Sequence, residues 1–312
     1  MTENDFFDLK SDLADETGEI LSEKVSDNYG IFTQKRTQNG VDIFISDITT
    51  EEGERRSGKK CGKYVTLNVG STTLYDSESF ERVCKVFASV AEEFISPYFG
   101  KSGGFLLAGL GNPGLPADSV GAQTVQNFIV TRHLKTSMPD MFEKFGFSET
   151  CAMIPDVLGN TGMEAAEIIK GVADDIRPGC IIAVDALSSR HLSRVATTVQ
   201  ICNTGICPGS GVGNARMEIS ADSMGVPVIA IGVPTVVNAT TLLTDALSDC
   251  GITPASLTDE SKKALMNRIN TDCYICPKDC GQSIKSISRL IGYSLNFAIH
   301  KGISFSEIHD FL

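Results

Sequence analysis

A chain of 312 residues, 42% hydrophobic and 21% charged, is long enough to bury a large core, which sets disorder aside and leaves one large α/β domain or two smaller ones. Lys and Arg number 27 against 39 Asp and Glu, a formal net charge of −12; a surface of that sign repels a phosphate backbone, so direct nucleic-acid binding is disfavoured. The opening MTENDFFDLK has no basic segment leading into an apolar run, and the longest apolar stretch, from Val226, is broken by Pro227 and Pro234. An intracellular protein without a signal peptide or membrane span is therefore expected.

In chain order, VDIFISDI from Val41 and KYVTLNVG from Lys63 read as two strands of a hairpin around the charged EEGERRSGKK. SESFERVCKVFASVAEEFI from Ser77 places Phe80, Val83, Phe87, Val90 and Phe94 at helical spacing, with Ser77 or Ser79 as the cap. The centre then alternates: strand FLLAGL, a helix around AQTVQNFIV, helix AAEIIKGVADDI behind a Thr161/Glu164 capping box, strands CIIAVDAL, ATTVQIC and PVIAIGV, and helix ATTLLTDALSD stopped by Gly251. A polar helix near DESKKALMNRI and an apolar-faced one, SIKSISRLIGYSLNFAIH, close the chain. Short apolar strands interleaved with helices predict an α/β fold with a mostly parallel sheet buried on both faces, and no repeat or linker divides it.

FLLAGLGNPGLPADSVG, residues 105–121, contains G-x-G-x-x-G at Gly109, Gly111 and Gly114. A dinucleotide site also needs a helix near the third glycine and an acid about 20 positions on. Pro116 and the segment IVTRHL supply neither. GLGNPG with a later TRH is also similar to the peptidyl-tRNA hydrolases, but here Thr131 lies too far along and no basic surface is evident.

Ligands of open parallel sheets bind beyond the carboxyl ends of strands. Asp118 follows FLLAGLG and Asp185 ends CIIAVD, so these two carboxylates can meet at one sheet edge, share a proton and activate water. Beside this stands a plain reading, in which Asp118 caps a helix starting near Ser119 and Asp185 pairs with Arg190 or Arg194. CPGSGVGN, with Gly209, Gly211 and Gly213, is either a loop offering N–H groups to an oxyanion or substrate, or a tight connection. No HExxH occurs, Ser210 in PGSGVGN lies one position after a glycine and not two as a nucleophile elbow needs, and Cys202 or Cys207 near His191 reads as structural thiol. Among ten cysteines, Cys273, Cys276 and Cys280 alone have ligand-like spacing, and nothing completes a tetrahedral site; ordinary thiols, no metal and no cofactor are expected.

GLGN and PADSVG from Gly109 and Pro116, NFIVTRHL from Asn127, TGMEAAEII from Thr161, the long run IIAVDALSSRHLSRVATTVQICNTGICPGSGVGN from Ile181, and GVPVIAIGVPTVVNATTLLTDAL from Gly225 together resemble the bacterial germination proteases. These endopeptidases degrade small acid-soluble proteins when a spore germinates. The resemblance covers most of residues 9–250 and weakens after about Gly251, where typical members are longer. It implies a three-layer α/β sandwich related to the hydrogenase-maturation peptidases, a homotetramer in the cytoplasm of the spore core, and an atypical aspartic peptidase whose essential acids fall on Asp118 and Asp185. It also implies a self-processing zymogen. The family's substrates are cut after an acid, before an apolar residue followed by Ala, with another acid downstream. SDLADE, residues 11–16, fits that pattern with the cut between Asp12 and Leu13, giving a propeptide of 1–12 and one peptidase domain of 13–312. The same letters also read as a helix start capped by Ser11 or Asp12. Because the cut sites are acidic and the chain is too, Arg132, Arg190 and Arg194 are the expected local charge partners. The competing functions are a catalytically silent binding or regulatory homologue and, on GLGNPG alone, a peptidyl-tRNA hydrolase.

Overall fold

The computed structural model describes residues 11–17, 29–209, 216–252, 256–268 and 273–312. β1 (Ile31–Gln38) and β2 (Val41–Ile48) pair through a two-residue turn at Asn39 and Gly40, whose φ angles of 49° and 80° suit a hairpin of native twist. No apolar period announces β1, because most of its side chains face solvent. The expected hairpin forms between β2 and β3 (Gly62–Asn68), with Ile43 opposite Leu67. Its charged connection folds into α1 (Glu51–Ser57), where the Thr50 side chain accepts from the Gly53 N–H and acids fill the first turn.

α2 (Ser77–Ile95) buries Phe80, Val83, Phe87, Val90 and Phe94. Its cap is Asp76, in place of the expected Ser77 or Ser79: the carboxylate accepts from the Ser79 N–H at 2.8 Å, which holds its pKa below the ordinary value. After β4 (Phe105–Gly109) comes α3 (Val120–Val125), shorter than the helix expected around AQTVQNFIV. It ends there because tertiary bonds claim the next residues: Asn296 donates to the Asn127 carbonyl and accepts from the Ile129 N–H. Two short helices, Arg132–Ser137 and Pro139–Lys144, lead to β5 (Thr150–Met153), a strand too brief to stand out in the sequence. α4 (Ala165–Ile176) begins as expected, but its capping box lies three residues on: Glu164 is the cap and its N–H donates to Glu167, whereas the Thr161 hydroxyl accepts from Met163 in the preceding turn.

β6 (Cys180–Ser189), β7 (Thr198–Cys202), α5 (Ala221–Met224), β8 (Val228–Asn238) and α6 (Ala239–Asp249) follow, with Gly251 at φ 76° closing α6 through a bond to the Ser248 carbonyl. The remainder is α7 (Asp259–Arg268), β9 (Tyr274–Ile275), α8 (Cys280–Ile299) and α9 (Phe305–Phe311).

The sheet order is β1-β2-β3-β7-β8-β6-β4-β5, with β9 beside β8. β5, β4, β6 and β8 run parallel, and the β7, β3, β2, β1 side extends them antiparallel. Alternate residues of β4 and β6 sort cleanly between two helical layers. Phe105, Leu107, Ile182 and Val184 share one cluster with α2 and α8, while Leu106, Ala108, Ile181 and Ala183 share another with α4 and α5. Burial on both faces explains why these strands read as continuous apolar runs, and each fully buried Ile, Leu or Phe contributes about 1.5–3 kcal/mol. One cluster reaches from Val41 on β2 to Ile308 on α9. No helix of the described residues is long and apolar enough to cross a membrane.

Candidate active site

The glycines after β4 shape the seat of Asp118. Beyond the strand, the Leu110 N–H still donates to the Val184 carbonyl at 2.8 Å. The chain then turns at Gly111, with φ 91°, where a Cβ would fall 2.0 Å from the Asp118 carbonyl oxygen and 2.8 Å from its Oδ1. Gly121 at the head of α3 sits so close that its Cβ would lie 2.3 Å from the Leu110 nitrogen and 2.4 Å from the Val184 oxygen. The helix therefore packs directly on the strand ends and aims Pro116–Asp118 back across the turn. There the Asn112 N–H donates to Asp118 Oδ2 at 2.8 Å. The amide that would hold a phosphate in a dinucleotide site holds the chain's own carboxylate instead.

Asp185 stands midway along β6, one residue past the last pair with β4 and opposite Gly232 of β8, and is 4% exposed. Burial, then the charge of Asp118, push its pKa up to about 8, with Asp12 adding and the Ala186 N–H opposing. Asp118 is also raised, by burial first, against the pull of the Asn112 N–H. The Asp118 charge thus helps Asp185 keep a proton at neutral pH, while Asp118 itself is raised by burial and by the charge of Asp156. Both line a cavity of about 610 Å³, together with Asp12, Asp156, Arg216 and Cys276.

The plain reading of these acids does not match their surroundings. Ser119 heads α3, its hydroxyl donating to the Pro116 carbonyl and accepting from the Gln123 amide and capping no helix N–H. Arg190 pairs with Asp245 at 2.9 Å and Arg194 with Asp15. Arg132 faces Glu149 at 3.6 Å, beside the start of β5 and at the opposite end of the sheet from Asp118. Gly209 lines the cavity; Gly211 and Gly213 lie outside the described residues. Burial raises the Cys202 and Cys207 thiols, the reverse of nucleophile activation. Cys280 is raised by burial and by its bond with Cys276, and among the described residues no three His, Cys, Asp or Glu side chains gather as a metal would require.

The segment SDLADE is docked against this edge. The Asp12 N–H donates to the Ser188 carbonyl at 2.9 Å, and the Ser188 N–H returns to the Asp12 carboxylate at 2.8 Å, so Asp12 adds to β6 like a strand residue. Lys59 stands 4.0 Å from that carboxylate and donates to the Ser11 carbonyl. Leu13 is wholly buried, Asp15 pairs with Arg194, and the Glu16 carboxylate accepts from the N–H groups of Arg190 and His191 at 2.7 and 3.3 Å. A helical turn does begin here, at Ala14, but neither Ser11 nor Asp12 caps it: the Ser11 hydroxyl accepts from the Leu13 N–H before the helix, and the Asp12 carboxylate is taken by the Ser188 N–H. Lys59 and Arg216 were not legible as site residues: each sits in a polar stretch with nothing local to distinguish it from a solvated charge.

Residues 9–250 match the germination protease family profile. Among similar proteins, the germination protease of Clostridium acetobutylicum is 37% identical over 97% of this chain and 99% of its own length, and that of Bacillus subtilis is 33% identical over 95% and 94%. These alignments run on past residue 250. A crystal structure of a [NiFe] hydrogenase maturation protease, HycI from Thermococcus kodakarensis KOD1, is 12% identical with a TM-score of 0.31, covering 66% of this chain and 99% of its own; at that score the likeness bears on neither the fold nor the mechanism. With a matching profile over most of the chain and relatives aligned from end to end, the chain belongs to the germination protease family.

Proposed function

We propose that this protein is an Asp-dependent endopeptidase of small acid-soluble spore proteins, acting in the spore core as a homotetramer and made as a zymogen that cuts itself between Asp12 and Leu13. The observation that carries the chemistry is the pair Asp118 and Asp185, both raised by burial, with Asp118 adding to the shift of Asp185, at one cavity that Asp12 also lines. Asp118, held toward its charged form by the Asn112 N–H, takes a proton from water as the oxygen attacks the peptide carbonyl carbon. Asp185 gives its proton to the departing nitrogen as the C–N bond breaks, leaving a carboxylate and an amine. The partners of SDLADE support an acid-apolar-Ala-x-acid substrate: Lys59 beside the first acid, a buried seat for Leu13, and the Arg190 and His191 amides on the last acid.

Intact-mass spectrometry of the purified chain over time tests this. Wild type should lose residues 1–12, while Asp118→Asn and Asp185→Asn should each slow that loss at least about 10³-fold without unfolding. Normal processing by either variant ends the proposal. Because Asp185 must keep its proton, the rate should also fall as pH rises through about 8.

A further inference from the structure

Four strands that are distant in sequence bring one row of residues together across the sheet. Thr66 of β3 faces Gln200 of β7, Gln200 faces Gly232 of β8, and Gly232 faces Asp185 of β6. Residues paired this way project to the same face, and two strand spacings of about 4.8 Å separate Gln200 from Asp185. Position 232 has no side chain, and the Leu187 side chain covers the middle of the row: a Cβ at 232 would fall 2.3 Å from it.

Gln200 is 6% exposed and uses both ends of its amide on the docked segment. Its Nε2 donates to the Asp12 carbonyl oxygen at 3.3 Å, and its Oε1 accepts from the Ala14 N–H at 2.8 Å. The polarity of the partners fixes the amide's orientation, since a carbonyl only accepts and an N–H only donates. The Thr66 hydroxyl steadies the same Oε1 from behind at 3.5 Å. The two bonds bracket Leu13, one on the carbonyl of the Asp12–Leu13 link and the other on the N–H of the next link, Leu13–Ala14.

We propose that Gln200 is a catalytic residue, the donor that polarises the scissile carbonyl while its acceptor end fixes the register of the residue two places on. This rests on the reading of Asp12–Leu13 as a bond that is cut. As water adds to the Asp12 carbonyl carbon, the C=O π pair moves onto oxygen, and the Gln200 N–H faces the charge that develops; the pair returns when the C–N bond breaks and nitrogen leaves with a proton from Asp185. A neutral donor suits this place, because a cation would ion-pair with Asp12 or Asp185 and lower the pKa that lets Asp185 hold its proton.

The test compares wild type, Asp185→Asn, Gln200→Met and Gln200→Glu for self-processing by intact mass. Cleavage of a synthetic peptide, DLKSDLADETGE, is followed in parallel across pH, and circular dichroism checks folding. Removing one such donor costs about 10²–10³ in rate. Gln200→Met should lose that factor in kcat. Gln200→Glu, which keeps the acceptor and regains an O–H donor when protonated, should recover relative to wild type as pH falls. A merely structural role predicts no such recovery. If Asp185→Asn is dead but Gln200→Met cleaves within about threefold of wild type, or if the Gln200→Glu ratio is flat with pH, the inference is overturned while the peptidase reading stands. If wild type cleaves neither itself nor the peptide, both fall. The two variants change size and charge differently, so a folding defect in one leaves the other to decide.

Discussion

The two ends of the parallel strands both bury ionisable groups, and they treat them differently. At the carboxyl end, Asp185 is driven up to about 8 beside a second acid and an open cavity. Beyond the amino end, His300 is 1% exposed and driven down to about 4, its ring against Phe128 and Phe147. Around it the polar groups bond one another: Ser148 N–H to His300 Nδ1, the Thr131 hydroxyl to the Ser148 carbonyl, the Thr150 hydroxyl to the Ile129 carbonyl. Burial keeps both groups neutral at pH 7. Only the carboxyl end adds a like charge and a cavity, the setting in which the proposed mechanism has Asp185 give its proton away. Perturbation by itself does not mark a reactive group; perturbation facing a cavity makes a candidate.

The largest way to break the contrast is Gly111→Ala. Its Cβ would fall 2.0 Å from a backbone oxygen at a φ of 91°. Either the turn holds and the protein loses about 3 kcal/mol or more, or the turn opens and Asp118 leaves the cleft. Thermal melts and processing assays separate the two: the first outcome lowers the melt and leaves the folded fraction able to cleave, and the second abolishes cleavage. Gly146→Ala near the other end, at φ 59° with nothing closer than 3.7 Å, should cost only about 1 kcal/mol and leave processing intact.

Next in size is the stability of Asp185→Asn. Between the ordinary value of 3.8 and about 8 the folded protein binds a proton that the unfolded chain has lost, so the contribution of Asp185 is full below pH 3.8 and is lost as pH rises through about 8. Removing the titration should stabilise the protein at pH 7 by about 2–4 kcal/mol, a gain that disappears below pH 4. Melts across pH that show equal displacement at every pH would contradict this.

How much of this was readable in advance follows from which signals are local. β4, β6 and β8 were legible because burial on both faces writes an apolar run; Asp118 was legible as the acid in the glycine-rich turn after β4, and Asp185 as the one charge in the run of β6, though that strand continues past it to Ser189. β1 was not, since an exposed edge strand such as IFTQKRTQ carries no apolar period. Helix caps slipped by one to three residues because Ser, Thr, Asp and Glu near a helix start compete and only backbone geometry chooses among them. Gln200 was hidden for another reason: in TVQIC it is one polar letter in a strand, and its meaning comes from the β3-β7-β8-β6 order that places it opposite Gly232 and two strands from Asp185.

The smallest effect sharpens the comparison by its sign. His300 is lowered from 6.5 to about 4, so between those values the unfolded chain binds the proton and the folded protein does not. Its contribution is full above pH 6.5 and is lost as pH falls through about 4, a slope opposite to that of Asp185. His300→Asn keeps an acceptor for the Ser148 N–H, now 3.3 Å from Nδ1, while removing the titration. The lost ring should lower stability at every pH, yet the further loss of about 1–2 kcal/mol that wild type suffers between pH 6.5 and 4 should be absent from the variant. Self-processing at pH 7 should stay near wild type, since His300 reaches the site only through the length of the strands. Unequal processing after correction for folded fraction would mean that the two ends are coupled, and that the proton held by Asp185 depends on packing at the far edge of its own sheet.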